Sequence, residues 1–148
     1  MSGEYAVGVA EVSIKLSDAP LCERLKKTAG RHGVSVSTLA RRLIDEGLRM
    51  NAHPLIHFRE QFTGRYPALV DGPLLVWVID MIVGDDTPLD EGRAWAAEML
   101  NLSLAQVDAA LAYYAEYTDE IDEDIARRQR ESAELEREWR RQRELLAT

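Results

Sequence analysis

At 148 residues, 46% hydrophobic and 30% charged, the chain has the composition of a soluble globular protein of one ordinary or two small domains. Its longest apolar run, residues 73–83, is broken by Asp80 and falls far short of the ~20 residues a bilayer requires, and no basic-then-apolar leader opens the chain, so the expected location is the cytoplasm and no membrane contact is expected. Cys22 is the only cysteine, which excludes an internal disulfide and Cys-rich metal sites; a small buried residue is its expected role.

The net charge of −8 is segregated. Residues 1–52 and 127–148 are each slightly basic, whereas 53–126 carry the whole acidic balance. A basic amino-terminal segment can approach a phosphate backbone, but the acidic middle would oppose it unless turned away or covered by a second, basic partner.

In chain order, Val12, Ile14 and Leu16 alternate with Glu11, Ser13 and Lys15, the period-2 pattern of a half-buried strand. One strand cannot satisfy its own backbone, and a unit of about 40 residues is too small for a sufficient core, so pairing with a second copy in an obligate homodimer is expected. A first helix is predicted from Ser17 or Asp18, with Pro20 in its first turn and Gly30 and Gly33 bracketing its end. Leu21, Leu25 and Ala29 recur on its inward face. A second helix is predicted from Ser35 or Ser37 to near Met50, carrying Val36, Leu39, Leu43 and Leu48 inward.

The order strand, helix, helix over residues 11–49, with G-V-S-V-S opening the second helix and L-I-x-x-G-L continuing it, resembles the ribbon-helix-helix DNA-binding fold. The resemblance implies a two-stranded ribbon in the major groove of operator DNA, with Glu11, Ser13 and Lys15 facing base edges. It also implies that Ser35, Ser37 and the free N–H groups opening the second helix clamp a phosphate, with Arg41 adding a second contact.

Beyond residue 52, His57 and Phe58 are predicted in a strand, Thr63, Gly64 and Arg65 in a turn, residues 65–70 in a second strand, and Gly72-Pro73 at a helix start. Leu75, Val76, Ile79 and Val83 share one helical face; Trp95, Met99 and Leu102 another; Val107, Leu111, Tyr114 and Ile121 continue the stripe. Residues 84–88 read as a loop, and Ser103 caps L-A-Q-V-D-A-A-L-A-Y-Y. The segments T-G-R-Y-P-A-L-V-D-G-P-L-L-V-W-V-I-D-M-I and L-S-L-A-Q-V-D-A-A-L-A-Y-Y-A-E-Y-T-D-E-I-D resemble the small winged helix-turn-helix domain of VapB-like antitoxins. Members of that family accompany PIN-like ribonuclease toxins, so the resemblance implies such a toxin as partner.

Neither catalysis nor a cofactor is expected. The carboxylates of residues 119–124 point around a helix axis and read as a solvated acidic first turn, and His53 and His57 flank Pro54, so no metal site is assigned. No nucleophile with an obvious base and no Gly-rich phosphate cradle is present, and no catalytic residue is assigned.

Residues 119–146 lack Gly and Pro and predict one long helix. Ile121, Ile125, Leu135, Trp139 and Leu146 fall on one stripe interrupted by Arg128, Ser132 and Gln142, too polar for a continuous coiled-coil seam. The expected role is docking on a partner through Ile125, Arg128, Leu135, Trp139, Arg140 and Arg141, with Trp139 as anchor. The toxin resemblance implies that an arginine of this tail enters a carboxylate-lined nuclease site.

The sequence therefore predicts a mainly α protein with short β: a ribbon-helix-helix dimer module at 1–52, a winged-helix-like middle at 53–118 and a helical toxin-binding tail at 119–148. The expected function is a type II antitoxin that neutralises a PIN-like ribonuclease and autorepresses its operon. The alternative is a stand-alone ribbon-helix-helix regulator whose middle domain senses a ligand or contacts DNA.

Overall fold

A computed structural model describes residues 11–84 and 86–147. The protein is mainly helical with a short antiparallel hairpin and a long carboxyl-terminal helix: α1 (Ala19–His32), α2 (Val36–Ala52), β1 (Ile56–Gln61), β2 (Gly64–Leu69), α3 (Leu75–Val83), α4 (Leu89–Met99), α5 (Leu104–Glu116) and α6 (Thr118–Leu146). It falls into two compact units that divide between Asp45 and Glu46, within α2. The expected boundaries at 52 and 118 fall instead near the ends of α2 and α5.

In the first unit, α1 starts where its cap dictates. Asp18 is extended and accepts a hydrogen bond from Leu21 N at 3.2 Å, with Pro20 in the first turn where its missing N–H costs nothing. Gly33 ends the helix at φ 64°, a left-handed conformation that suits a residue without Cβ. Ala29 and Leu39 are buried, but Leu21, Val36, Leu43 and Leu48, expected to point inward, are 38%, 40%, 49% and 67% exposed. No second wall covers that face among the described residues. Residues 11–16, expected as a strand, form no ladder among the described residues, since a strand needs a partner strand for its hydrogen bonds.

The second unit is built around α3. β1 and β2 pair in the register Ile56↔Leu69 to Gln61↔Gly64, with Gly64 at φ 143° closing the tight connection. β2 is the buried strand, and Ala68 bridges on to Leu74, leading the chain into α3. Leu75, Val76, Val78, Ile79 and Ile82 are buried on α3, whereas Val83, assigned to the same face, is 45% exposed at the helix end. α4 lies close to α3 at Gly92, where a Cβ would sit 3.4 Å from Ile82 Cγ2. It buries Ala96 and leaves Trp95 and Met99 outside, contrary to the predicted stripe. α5 opens with a reciprocal cap: Ser103 Oγ accepts from Gln106 N at 3.1 Å and Gln106 Oε1 accepts from Ser103 N at 2.9 Å. Its inward residues are Val107, Ala110 and Tyr113; Tyr114, expected inward, is only partly buried.

α6 confirms the single long helix but not its independence from the core. Ile121 and Ile125 are buried with the α3 and α5 side chains, so the first two turns belong to the second unit. From residue 129 onward every described side chain is exposed.

Candidate functional site

The residues expected to meet DNA occupy two stretches of the first unit. Glu11, Ser13 and Lys15 are exposed on the segment before α1, and so are Val12, Ile14 and Leu16, at 82%, 62% and 41%. The alternating side chains therefore exist without a covered face in one protomer. Cys22 is half-buried rather than buried, and its thiol donates to Leu16 O at 3.4 Å, tying this segment to α1.

At the start of α2, Ser35 Oγ accepts from Thr38 N at 3.1 Å and shares a 2.8 Å bond with Thr38 Oγ1. Its hydroxyl is thus committed to capping the helix. Ser37 and Arg41 are exposed, two and six residues beyond Ser35. No hydrogen bond or ion pair joins Glu11, Ser13 or Lys15 to Ser35, Ser37 or Arg41 among the described residues.

The most tightly organised polar cluster lies in the second unit, around residues to which the sequence assigned no function. Glu46, Arg49 and His53 share one face of the α2 end, at spacings of three and four residues. Glu46 is 5% exposed and accepts from Arg65 Nε and Nη2 at 2.7 and 2.6 Å. Arg49 Nη1 donates to Glu120 Oε2 at 2.7 Å and Tyr113 Oη at 2.9 Å, with its guanidinium 4.0 Å from the Tyr117 ring centre. His53 Nε2 lies 2.6 Å from Glu116 Oε2 and its ring packs edge-on against Tyr113.

Electrostatics follow this geometry. Burial works against the Arg49 charge, but the bonds to Glu120 and Tyr113 outweigh it and the guanidinium holds its proton more tightly than usual. Burial pushes the Tyr113 hydroxyl up to about 12. Donation to Asp122 at 2.6 Å pushes Tyr114 up to about 12 as well. The His53 hydrogen bond holds the Glu116 carboxyl below the usual range. These are the properties of a structural lock between the α2 end, α5 and α6. The spacing of Glu46, Arg49 and His53 was visible in the sequence; their partners, from 19 to 71 residues away, were not.

The expected tail contacts separate into two groups. Ile125 lies in the chain's own core, which corrects its assignment as a partner contact: a buried side chain has no surface to offer. Arg128 is half-buried, its guanidinium 5.4 Å from the Tyr66 ring centre and 5.0 Å from that of Trp77, and so serves the second unit as a cation lying over two aromatic rings. Next to it, Arg127 donates to Asp124 Oδ1 at 2.8 Å and Tyr66 Oη at 3.1 Å.

The second group is free of the core. Leu135 and Trp139 are 66% and 55% exposed, Arg143 lies 4.7 Å over the Trp139 ring, and Arg140 pairs with Glu136 at 2.7 Å. Arg141 is exposed and makes no ion pair among the described residues. Among those residues no group of three or more His, Cys, Asp or Glu side chains could hold a metal ion, and no helix is long and apolar enough to cross a membrane. Comparison of the chain with protein-family models, curated proteins and solved structures gave no match.

Proposed function

We propose that the protein is a cytoplasmic type II antitoxin. Two copies pair through the segment around Val12, Ile14 and Leu16 into a ribbon-helix-helix DNA binder that represses its own operon, and the distal half of α6 captures a PIN-like ribonuclease toxin. The observation that carries this reading is the outer half of α6: Leu135, Trp139, Leu145 and Leu146 are 55% to 88% exposed on a helix that has left its own core. An isolated helix with such a stripe gains its stability by docking. The amino-terminal segment supports the dimer for the same reason, since its alternating apolar residues and ladder groups lack a partner among the described residues.

The test is co-purification of the tagged chain with the product of the adjacent gene, full length against a chain ending at Gln129. That truncation spares Ile121 and Ile125, so it removes the docking helix and keeps the fold. Retention of a nuclease by the full-length chain alone is the expected result; equal retention by both, or by neither, overturns the reading.

A second reading has one observation in its favour. A cleft of about 330 Å³ between α3 and α4 would suit a stand-alone regulator whose middle domain senses a ligand.

A further inference from the structure

The α3–α4 cleft has a chemistry of its own. It is lined by Met81 from α3, Thr87 from the connecting loop, and Glu91, Gly92 and Trp95 from α4. Glu91 and Trp95 are four residues apart and so lie on the same face of α4. Gly92 sits against Ile82, where a Cβ would lie 3.4 Å from Ile82 Cγ2, so its lack of a side chain lets α4 approach α3 closely beside the cleft. The result is an indole, 46% exposed, beside a thioether and a carboxylate at the cleft edge.

The carboxylate is uncompensated. Glu91 has no hydrogen bond or ion pair among the described residues, and its basic neighbour Arg93 is held by Asp108 at 2.8 Å and by Asp90 at 3.6 Å. Among the described residues no cationic side chain lines the cleft. An anionic ligand would meet only repulsion there, and a neutral apolar ligand would gain nothing from Glu91. A cation on an alkyl stem suits this lining, since a carboxylate and an aromatic ring both attract an ammonium charge and a thioether accommodates an apolar stem.

We propose that this cleft is a binding site for an organic ammonium group, supplied either by a free alkylammonium molecule or by a lysine side chain of a partner protein. The site depends only on the second unit and holds under either reading of the protein's function.

The probe is choline, with 3,3-dimethyl-1-butanol as its neutral isostere and N-acetyl-lysine methylamide as the protein-like source, titrated into the full chain with its methionine methyls labelled for NMR. A saturable shift of the Met81 methyl is expected with the cations and not with the isostere. Glu91→Gln, an exposed substitution that the fold tolerates, is expected to weaken cation binding about tenfold, the scale of one charge-assisted contact. Trp95→Leu is expected to abolish saturation. Tighter binding of choline assigns the site to a small molecule, and tighter binding of the blocked lysine assigns it to a protein; either supports the ammonium site. Equal binding of the neutral isostere, an unchanged affinity in Glu91→Gln, or no saturable Met81 shift with either cation overturns it.

Discussion

The Glu46 carboxylate, 5% exposed on α2, is gripped by both nitrogens of the Arg65 fork on β2 at 2.7 and 2.6 Å. Removing Glu46 leaves the half-buried Arg65 guanidinium without its carboxylate, which costs more than removing both. Glu46→Ala is expected to lower unfolding free energy by about 3 kcal/mol in urea denaturation. A Glu46→Leu/Arg65→Leu double substitution should recover most of that loss, and an equally unstable double variant would show that the site matters for packing rather than charge.

Tyr113 is fully buried, and its hydroxyl titrates at about 12 in the fold against 10 ordinarily, mainly because burial disfavours the phenolate. A raised folded-state pKa gives stability that is complete below pH 10 and is lost as pH rises through about 12. Tyr114 adds to the same window through its bond to Asp122. Chemical denaturation between pH 9 and 12 should therefore show stability falling, with a smaller fall in Tyr113→Phe.

Glu116 behaves in the opposite sense. Its carboxyl is held below the ordinary 4.5 by the hydrogen bond to His53, so its contribution is present above that value and lost as pH falls through the lowered one. A carboxyl-carbon NMR titration should place the Glu116 midpoint below 4.5, and His53→Ala should return it to the ordinary range.

Along α6 the two halves should respond differently to truncation of a side chain. Ile121→Ala removes a fully buried residue and is expected to cost about 3 kcal/mol of stability. Trp139→Ala should change stability by less than about 0.5 kcal/mol but weaken toxin binding by about 2 kcal/mol or more. Thermal melts and calorimetric titration of the purified pair separate the two effects.

The proposed dimer predicts that Ile14→Asp yields a monomer by light scattering, because a carboxylate on the paired face of such a ribbon would have no partner. Arg41→Ala should leave the dimer intact, weaken DNA binding evenly across sequences and reduce the salt slope by about 0.9, as expected for one lost phosphate contact.

Local signals in the sequence located nearly every element. Asp18 with Pro20, Gly33, the turn at Thr63 and Gly64, and Ser103 with Gln106 each act within a few residues, so reading them needs no knowledge of the fold. The errors fall where a choice depends on distant residues. Tyr113 and Tyr114 are adjacent and equally hydrophobic by type; Arg49 and His53, some sixty residues away, are what single out Tyr113. Ile125 and Leu135 share a helical stripe, and only the reach of α3 and α5 decides that the first is core and the second is surface. The polar stripe positions Arg128 and Ser132 were the one mark of that transition. The Glu46–Arg65 pair was hidden for a different reason: buried ion pairs are rare, and each residue alone resembles an exposed charge.

The antitoxin reading is tested most directly by an RNA-cleavage assay of the adjacent gene's product with increasing amounts of this protein. The expected result is stoichiometric loss of cleavage with the full-length chain and none with the chain ending at Gln129. Cleavage that persists at saturating full-length protein would contradict the account.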